Sequence, residues 1–255
     1  MTTLDRSLQQ LKESGRKALV PYFVAGLDEQ WLDGVRAAIY AGADAIEIGI
    51  PFSDPIIDGP VIQQASTQAL ARGVTFGSLL DELATLDASV PLIAMTYFNI
   101  FHHRGLAGAS ADLARAGVSG AIVPDLALEE CAPWREAANG SDVACVLIVA
   151  PSTPTPRVAA LANASQGFIY AASRMAVTGV ASDAGDSVRV VEEIQRSTTK
   201  PVYVGIGIST PAQASAAAQI ADGVIVGTAL VQLLLDGEGP VGVEKFVRSL
   251  RDATQ

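Results

Sequence analysis

Cysteine and histidine are scarce, with two of each among 255 residues. Cys131 and Cys145 are too few for a disulfide-dense secreted scaffold and lack the paired spacing of a zinc site, so they read as ordinary thiols of a reducing compartment. His102 and His103 are adjacent, and no Asp, Glu or Cys at ligand spacing accompanies them, so no metal is expected. No Ser-His-Asp order or nucleophile elbow is visible. Cations are also in short supply. Seventeen Lys and Arg stand against 27 Asp and Glu, a net charge of -10, which argues against nucleic acid or an anionic membrane surface as the main partner. A small anion stays open, because a handful of local donors can bind it. The longest apolar run, Val143 to Ala150, is far short of the ~20 residues a membrane span requires. Met1 to Arg16 is polar and mixed in charge rather than basic and then apolar, so no signal peptide is expected and the expected compartment is the cytoplasm.

What is present is a 49% hydrophobic chain with a regular alternation. Eight short apolar runs recur: Ala18 to Val24, Ala45 to Ile50, Leu92 to Tyr97, Ala121 to Pro124, Val143 to Val149, Phe168 to Ala172, Val202 to Gly205 and Gly223 to Val226. They read as strands buried on both faces. Between them lie amphipathic helical patterns such as Trp31 to Tyr40, Phe76 to Leu86, Gly105 to Ala116 and Ser187 to Arg196. Thr210-Pro211-Ala212-Gln213 carries an N-cap, a proline at the first helical position and a capping-box Gln. Ala41 to Asp44, Ala116 to Ser119 and Ile220 to Gly223 look alike, each reading as a helix stopped by glycine before a strand. Eight βα units favour a closed parallel barrel over an open doubly wound sheet with two edges to protect, and no Gly-x-Gly-x-x-Gly turn follows the first strand. No linker or low-complexity tract divides the chain. The expected fold is one α/β domain over residues 1–255, a (β/α)8 TIM barrel with an N-terminal helix and an extended loop after strand two. That loop, Pro51 to Pro60, opens an interval of over forty residues and would lie on the catalytic face of such a barrel.

In strand two, period-two alternation sends Ile46, Ile48 and Ile50 toward the helices and Ala45, Glu47 and Gly49 into the barrel. Glu47 is therefore either an acid/base tuned by partial burial or a structural carboxylate paired with a buried cation. Asp58, before Gly59-Pro60, could face the same cavity. Asp54, between Ser53 and Pro55, reads as a turn residue or as one that supports the site from behind its lining. A candidate anion site comes from Gly205 to Ser209 after strand seven and from Gly227-Thr228 opening the last strand's helix, with Gly179 as a third contributor. Arg174 reads equally as a loop anchor or a surface arginine.

The run Glu47-Ile48-Gly49-Ile50-Pro51-Phe52-Ser53-Asp54-Pro55, continuing to Asp58-Gly59-Pro60, resembles the signature of the tryptophan synthase alpha subunit family. Supporting matches include Pro21 with Gly26, Tyr97-Phe98-Asn99, Val123-Pro124-Asp125-Leu126, Ala150-Pro151-Ser152-Thr153, Val177-Thr178-Gly179, Gly205 to Ser209 and Asp222 to Thr228. The resemblance implies retro-aldol cleavage of indole-3-glycerol phosphate to indole and glyceraldehyde 3-phosphate, with no cofactor in this subunit. It implies Glu47 as acid/base, Asp58 as acceptor for the indole N–H, and Tyr170 near the carboxylate. It also implies Thr178 in loop closure and Gly179, Gly207, Gly227 and Thr228 on the phosphate, with Tyr22, Met95, Tyr97 and Ile206 lining an indole pocket. The implied partner is a beta subunit in a heterotetramer. Departures from the family pattern are Ile57 and Ala176, for alanine and glycine, Ala127 for a proline, and Leu27-Asp28 for an Asp-Pro pair. The other readings are a stand-alone lyase, a non-catalytic phosphate-binding module, or another phosphate-binding barrel.

Overall fold

The computed structural model describes residues 1–172, 184–205 and 207–255. All eight apolar runs are strands: β1 (Ala18–Val24), β2 (Ile46–Gly49), β3 (Leu92–Met95), β4 (Val118–Ile122), β5 (Ala144–Val149), β6 (Ile169–Ala172), β7 (Val202–Gly205) and β8 (Gly223–Val226). They pair in parallel in chain order, and β8 returns to β1 to close the barrel. Helix α1 (Thr3–Glu13) precedes the barrel. The others are α2 (Trp31–Tyr40), α3 (Pro60–Ala71), α4 (Phe76–Leu83), α5 (Phe98–Arg104), α6 (Leu106–Arg115), α7 (Ala132–Gly140), α8 (Thr155–Ala164), α9 (Ala184–Ser197), α10 (Pro211–Ile220), α11 (Thr228–Leu235) and α12 (Gly239–Ala253). The expected capping box is present on α10, where Thr210 and Gln213 exchange side-chain and backbone hydrogen bonds.

Strand alternation divides the core into two shells. Ile46, Ile48 and Ile50 join the outer shell with the helices, while Ala45 joins Val20, Ile93, Val146 and Ile225 inside the barrel. Leu4 and Leu8 of α1 belong to the inner shell and plug its floor. Leu4 occupies the space that a Cβ would need at Gly120 and Gly167. Burying a leucine this completely contributes about 2 kcal/mol.

The rim around that floor is held by charge. Asp44, just before β2, accepts from the Leu19 N–H at 2.9 Å and from the buried Arg251 at 2.7 Å. Asp222 does the same before β8, accepting from the Val202 N–H at 2.9 Å and pairing with Lys12 at 3.0 Å. This is the stability face of a barrel, which leaves the opposite mouth to chemistry.

The structure revises some boundaries. Gly42 (φ +103°) and Gly117 (φ +79°) terminate helices α2 and α6 as expected, but Gly223 does not terminate α10. It is the first residue of β8, small because a Cβ would crowd Ala18 and the Tyr203 ring. Strand β4 starts at Val118, not Ala121, and a register shift opposite Leu92 and Ile93 absorbs the extra residue. Helix α4 stops at Leu83, and His102 and His103 lie in the last turn of α5.

Candidate active site

Glu47 points into the barrel, as the alternation of β2 requires. It sits in register with Tyr22 on β1, and only 1% of it is exposed. Among the described residues its Oε2 finds no hydrogen-bond partner. Burial, with the nearby charge of Asp58 as the lesser cause, pushes its pKa up to about 8. A structural carboxylate would be paired, so the geometry favours the acid/base alternative. Two tyrosines frame it. The Tyr22 hydroxyl lies over Gly49 and the Tyr170 hydroxyl over Gly205, each in a place that a Cβ on the glycine would occupy. Glycine at these two positions is thus what lets long side chains reach across the next strand. Burial raises both phenols well above their ordinary range, with the charge of Glu47 acting in the same direction, so both are neutral donors at neutral pH.

Asp58 arrives from the loop after β2. Burial raises its carboxyl above the usual range, and the influence of the nearby Tyr97 hydroxyl opposes that rise. Tyr97, expected as a pocket wall, also accepts from the Ile56 and Ile57 N–H groups, each at 3.2 Å, and its ring stacks on Phe52 at 5.1 Å. Its polar role leaves no local trace in the sequence, because the partners lie some forty residues away. Asp125 accepts from the Phe98 N–H at 2.8 Å, which brings together two separate motifs at the start of α5. Met95 ends β3 beside Gly49, facing the same mouth. Asp54 is an exposed turn residue bonded to the Ser53 hydroxyl at 2.6 Å, in agreement with its reading as local.

Gly207 follows β7 in the left-handed region (φ +91°), and Gly227 is the N-cap of α11 with no side-chain cap. Thr228 opens that helix. The first-turn N–H groups of a helix have no acceptor within it and carry partial positive charge, which suits an anion. A Cβ built on Gly227 would lie 3.6 Å from Tyr22, so this helix end opens beside the tyrosine that faces Glu47. Arg174, Ala176, Thr178, Gly179 and Ile206 lie outside the described residues. The described part of the site can hold an anion at one side and move a proton at the other.

A family model described as tryptophan synthase alpha chain matches residues 8–250. The tryptophan synthase alpha chain of Picosynechococcus sp. is 42% identical over 265 residues, covering 99% of this chain and 99% of the relative. That of Thermobifida fusca is 44% identical over 243 residues, covering 92% and 90%. Among solved structures, Mycobacterium tuberculosis tryptophan synthase superposes with a TM-score of 0.92 at 35% identity, covering 99% and 98% of the two chains. The Legionella pneumophila alpha subunit superposes at 0.89 with 28% identity, covering 100% and 98%. A match along nearly the whole length, on the same closed barrel, means that this chain belongs to the tryptophan synthase alpha chain family.

Proposed function

We propose that Glu47 and Asp58 carry the family's lyase reaction here, the retro-aldol cleavage of indole-3-glycerol phosphate to indole and glyceraldehyde 3-phosphate. The observation that carries this reading is Glu47 itself: buried, unpartnered at Oε2 among the described residues, and with a pKa of about 8. At neutral pH it holds a proton, so it can donate first. Donation to indole C3 turns the ring into an iminium, and the Asp58 carboxylate stabilises the positive N–H that results. Glu47, now ionised, accepts the glycerol hydroxyl proton as that oxygen becomes a carbonyl. The carbon–carbon bond breaks, its electron pair neutralises the ring, and Glu47 ends protonated as it began. One group thus serves as acid and then base, with the second carboxylate bearing on charge alone.

Gly207, Gly227 and Thr228, with Gly179, are proposed to hold the phosphate. Backbone donors can do this in a protein of net charge -10, since screening over ~8 Å mutes distant acids. Tyr22, Met95, Tyr97 and Ile206 would contact the indole ring, Tyr170 would orient Glu47, and Thr178 would act in closure. The chain is read as one domain working in the cytoplasm, where the buried free thiols Cys131 and Cys145 stay reduced. Its partner is a tryptophan synthase beta subunit, as the resemblance to solved tryptophan synthases supports. The test is indole release from indole-3-glycerol phosphate by the purified chain, alone and with a beta subunit. Cleavage that rises on adding the partner is expected; no cleavage in either condition would refute the assignment.

A further inference from the structure

We propose that Tyr97 is a positioning residue: its hydroxyl holds two N–H groups of the loop that carries Asp58 and so sets that carboxylate in place before substrate arrives. The inference rests on the reading of Asp58 as the charge-stabilising group and goes beyond the expectation of Tyr97 as an apolar wall.

The residue is anchored on both sides by the barrel. Before it, the Thr96 N–H donates to the Ile122 carbonyl and the Thr96 hydroxyl to the Ile50 carbonyl, each at 3.2 Å. After it, the Phe98 N–H donates to Asp125 at 2.8 Å. The Tyr97 side chain is buried and its ring is stacked on Phe52, so the oxygen has little freedom. A phenol oxygen accepts at its lone pairs and donates a single proton. The Ile56 and Ile57 N–H groups occupy the accepting side at 3.2 Å each. That leaves its proton free, and the Asp58 carboxyl, the next residue along the same loop, feels the phenol as an influence that lowers its pKa. The hydroxyl therefore ties the loop carrying Asp58 to the end of β3 at two points. Asp58 is referenced to the rigid barrel rather than to its own loop.

Among the described residues, the titratable groups that face Asp58 are Glu47 from β2, Tyr22 from β1 and Tyr97 itself. The two phenols stay neutral through an ordinary assay range, since burial raises Tyr22 well above its usual value and Tyr97 to about 12. A hydroxyl dipole beside a carboxylate favours its charged form, so removal of the Tyr97 hydroxyl raises the Asp58 pKa. Tyr97→Phe keeps the ring and its stack on Phe52 and removes the hydroxyl alone.

The experiment is the pH profile of kcat/KM for indole release by wild type, Tyr97→Phe and Asp58→Asn, with circular dichroism to confirm that each is folded. Tyr97→Phe is expected to move the acid limb to higher pH, so that the rate at a pH on that limb falls while the plateau and KM change little. A wall residue would leave the limb where it is. If Asp58→Asn is inactive and Tyr97→Phe keeps the wild-type limb, positioning by Tyr97 is overturned while the reading of Asp58 stands. If Asp58→Asn keeps full activity, the reading of Asp58 falls and this inference falls with it.

Discussion

Replacing Glu47 by Gln is expected to remove a pH dependence from the stability of the fold, so that the variant gains on wild type as pH rises from 5 to 8. The folded carboxyl titrates at about 8 against an ordinary value of 4.5, because folding strips its water and places it near Asp58. Below pH 4.5 both folded and unfolded chains keep the proton, and Glu47 carries no ionisation penalty. Between 4.5 and 8 the unfolded chain releases the proton while the folded chain holds it, so wild-type stability falls as pH rises. Above 8 both states are ionised and the penalty is constant. Each unit of displacement is worth about 1.4 kcal/mol, so the penalty grows by about 3 kcal/mol between pH 5 and pH 8. Gln does not titrate and lacks this dependence. Its amide brings its own cost of burial, but that cost is the same at every pH. The assay is urea unfolding of both proteins at several pH values. With a slope of ~3 kcal/mol per molar urea, the gap between their midpoints widens by about 1 M over that range. A gap that stays constant from pH 5 to pH 8 would refute the argument that Glu47 is held protonated by burial.

Gly205→Ala places a Cβ where the Tyr170 hydroxyl lies and must turn that ring away from Glu47; indole release is expected to fall about 10²-fold while circular dichroism is unchanged, and wild-type activity would contradict it. Replacing the buried Arg251 by Met strips Asp44 of one of its two arginines, Arg16 remaining at 2.8 Å. Unfolding is expected to show a loss of about 3 kcal/mol, with indole release per folded molecule preserved because that rim is opposite the site. Lost activity in a still-folded Arg251 variant would show that the two faces are not independent.

The barrel was legible because its signals are local. Strands β1, β7 and β8 begin and end where their apolar runs do, and period two placed Glu47 inside and its isoleucine neighbours outside. Errors arose where a residue answers to a distant partner. In sequence Val118 and Ser119 read with the turn after α6, yet they belong to β4, and so does Gly120, a strand position made small to receive Leu4 of α1. Gly223 likewise imitates a helix stop while serving the packing of Tyr203. In the site, the candidates Glu47, Asp58, Tyr22, Tyr97 and Tyr170 do converge, and the electrostatic effects among them show their proximity. The hydrogen bonds of Tyr97 and the cap supplied by Asp125 were not legible, because each depends on how one loop lies against another. Family resemblance could bring those residues to notice, but not the contacts they make.

The central claim is that Glu47 moves the protons of the cleavage, and the most direct test is indole formation by Glu47→Gln, measured together with binding of indole-3-glycerol phosphate. The account predicts that the variant binds the substrate and loses cleavage by about 10²-fold or more. Full cleavage activity in a variant that cannot donate or accept the proton at this position would contradict it.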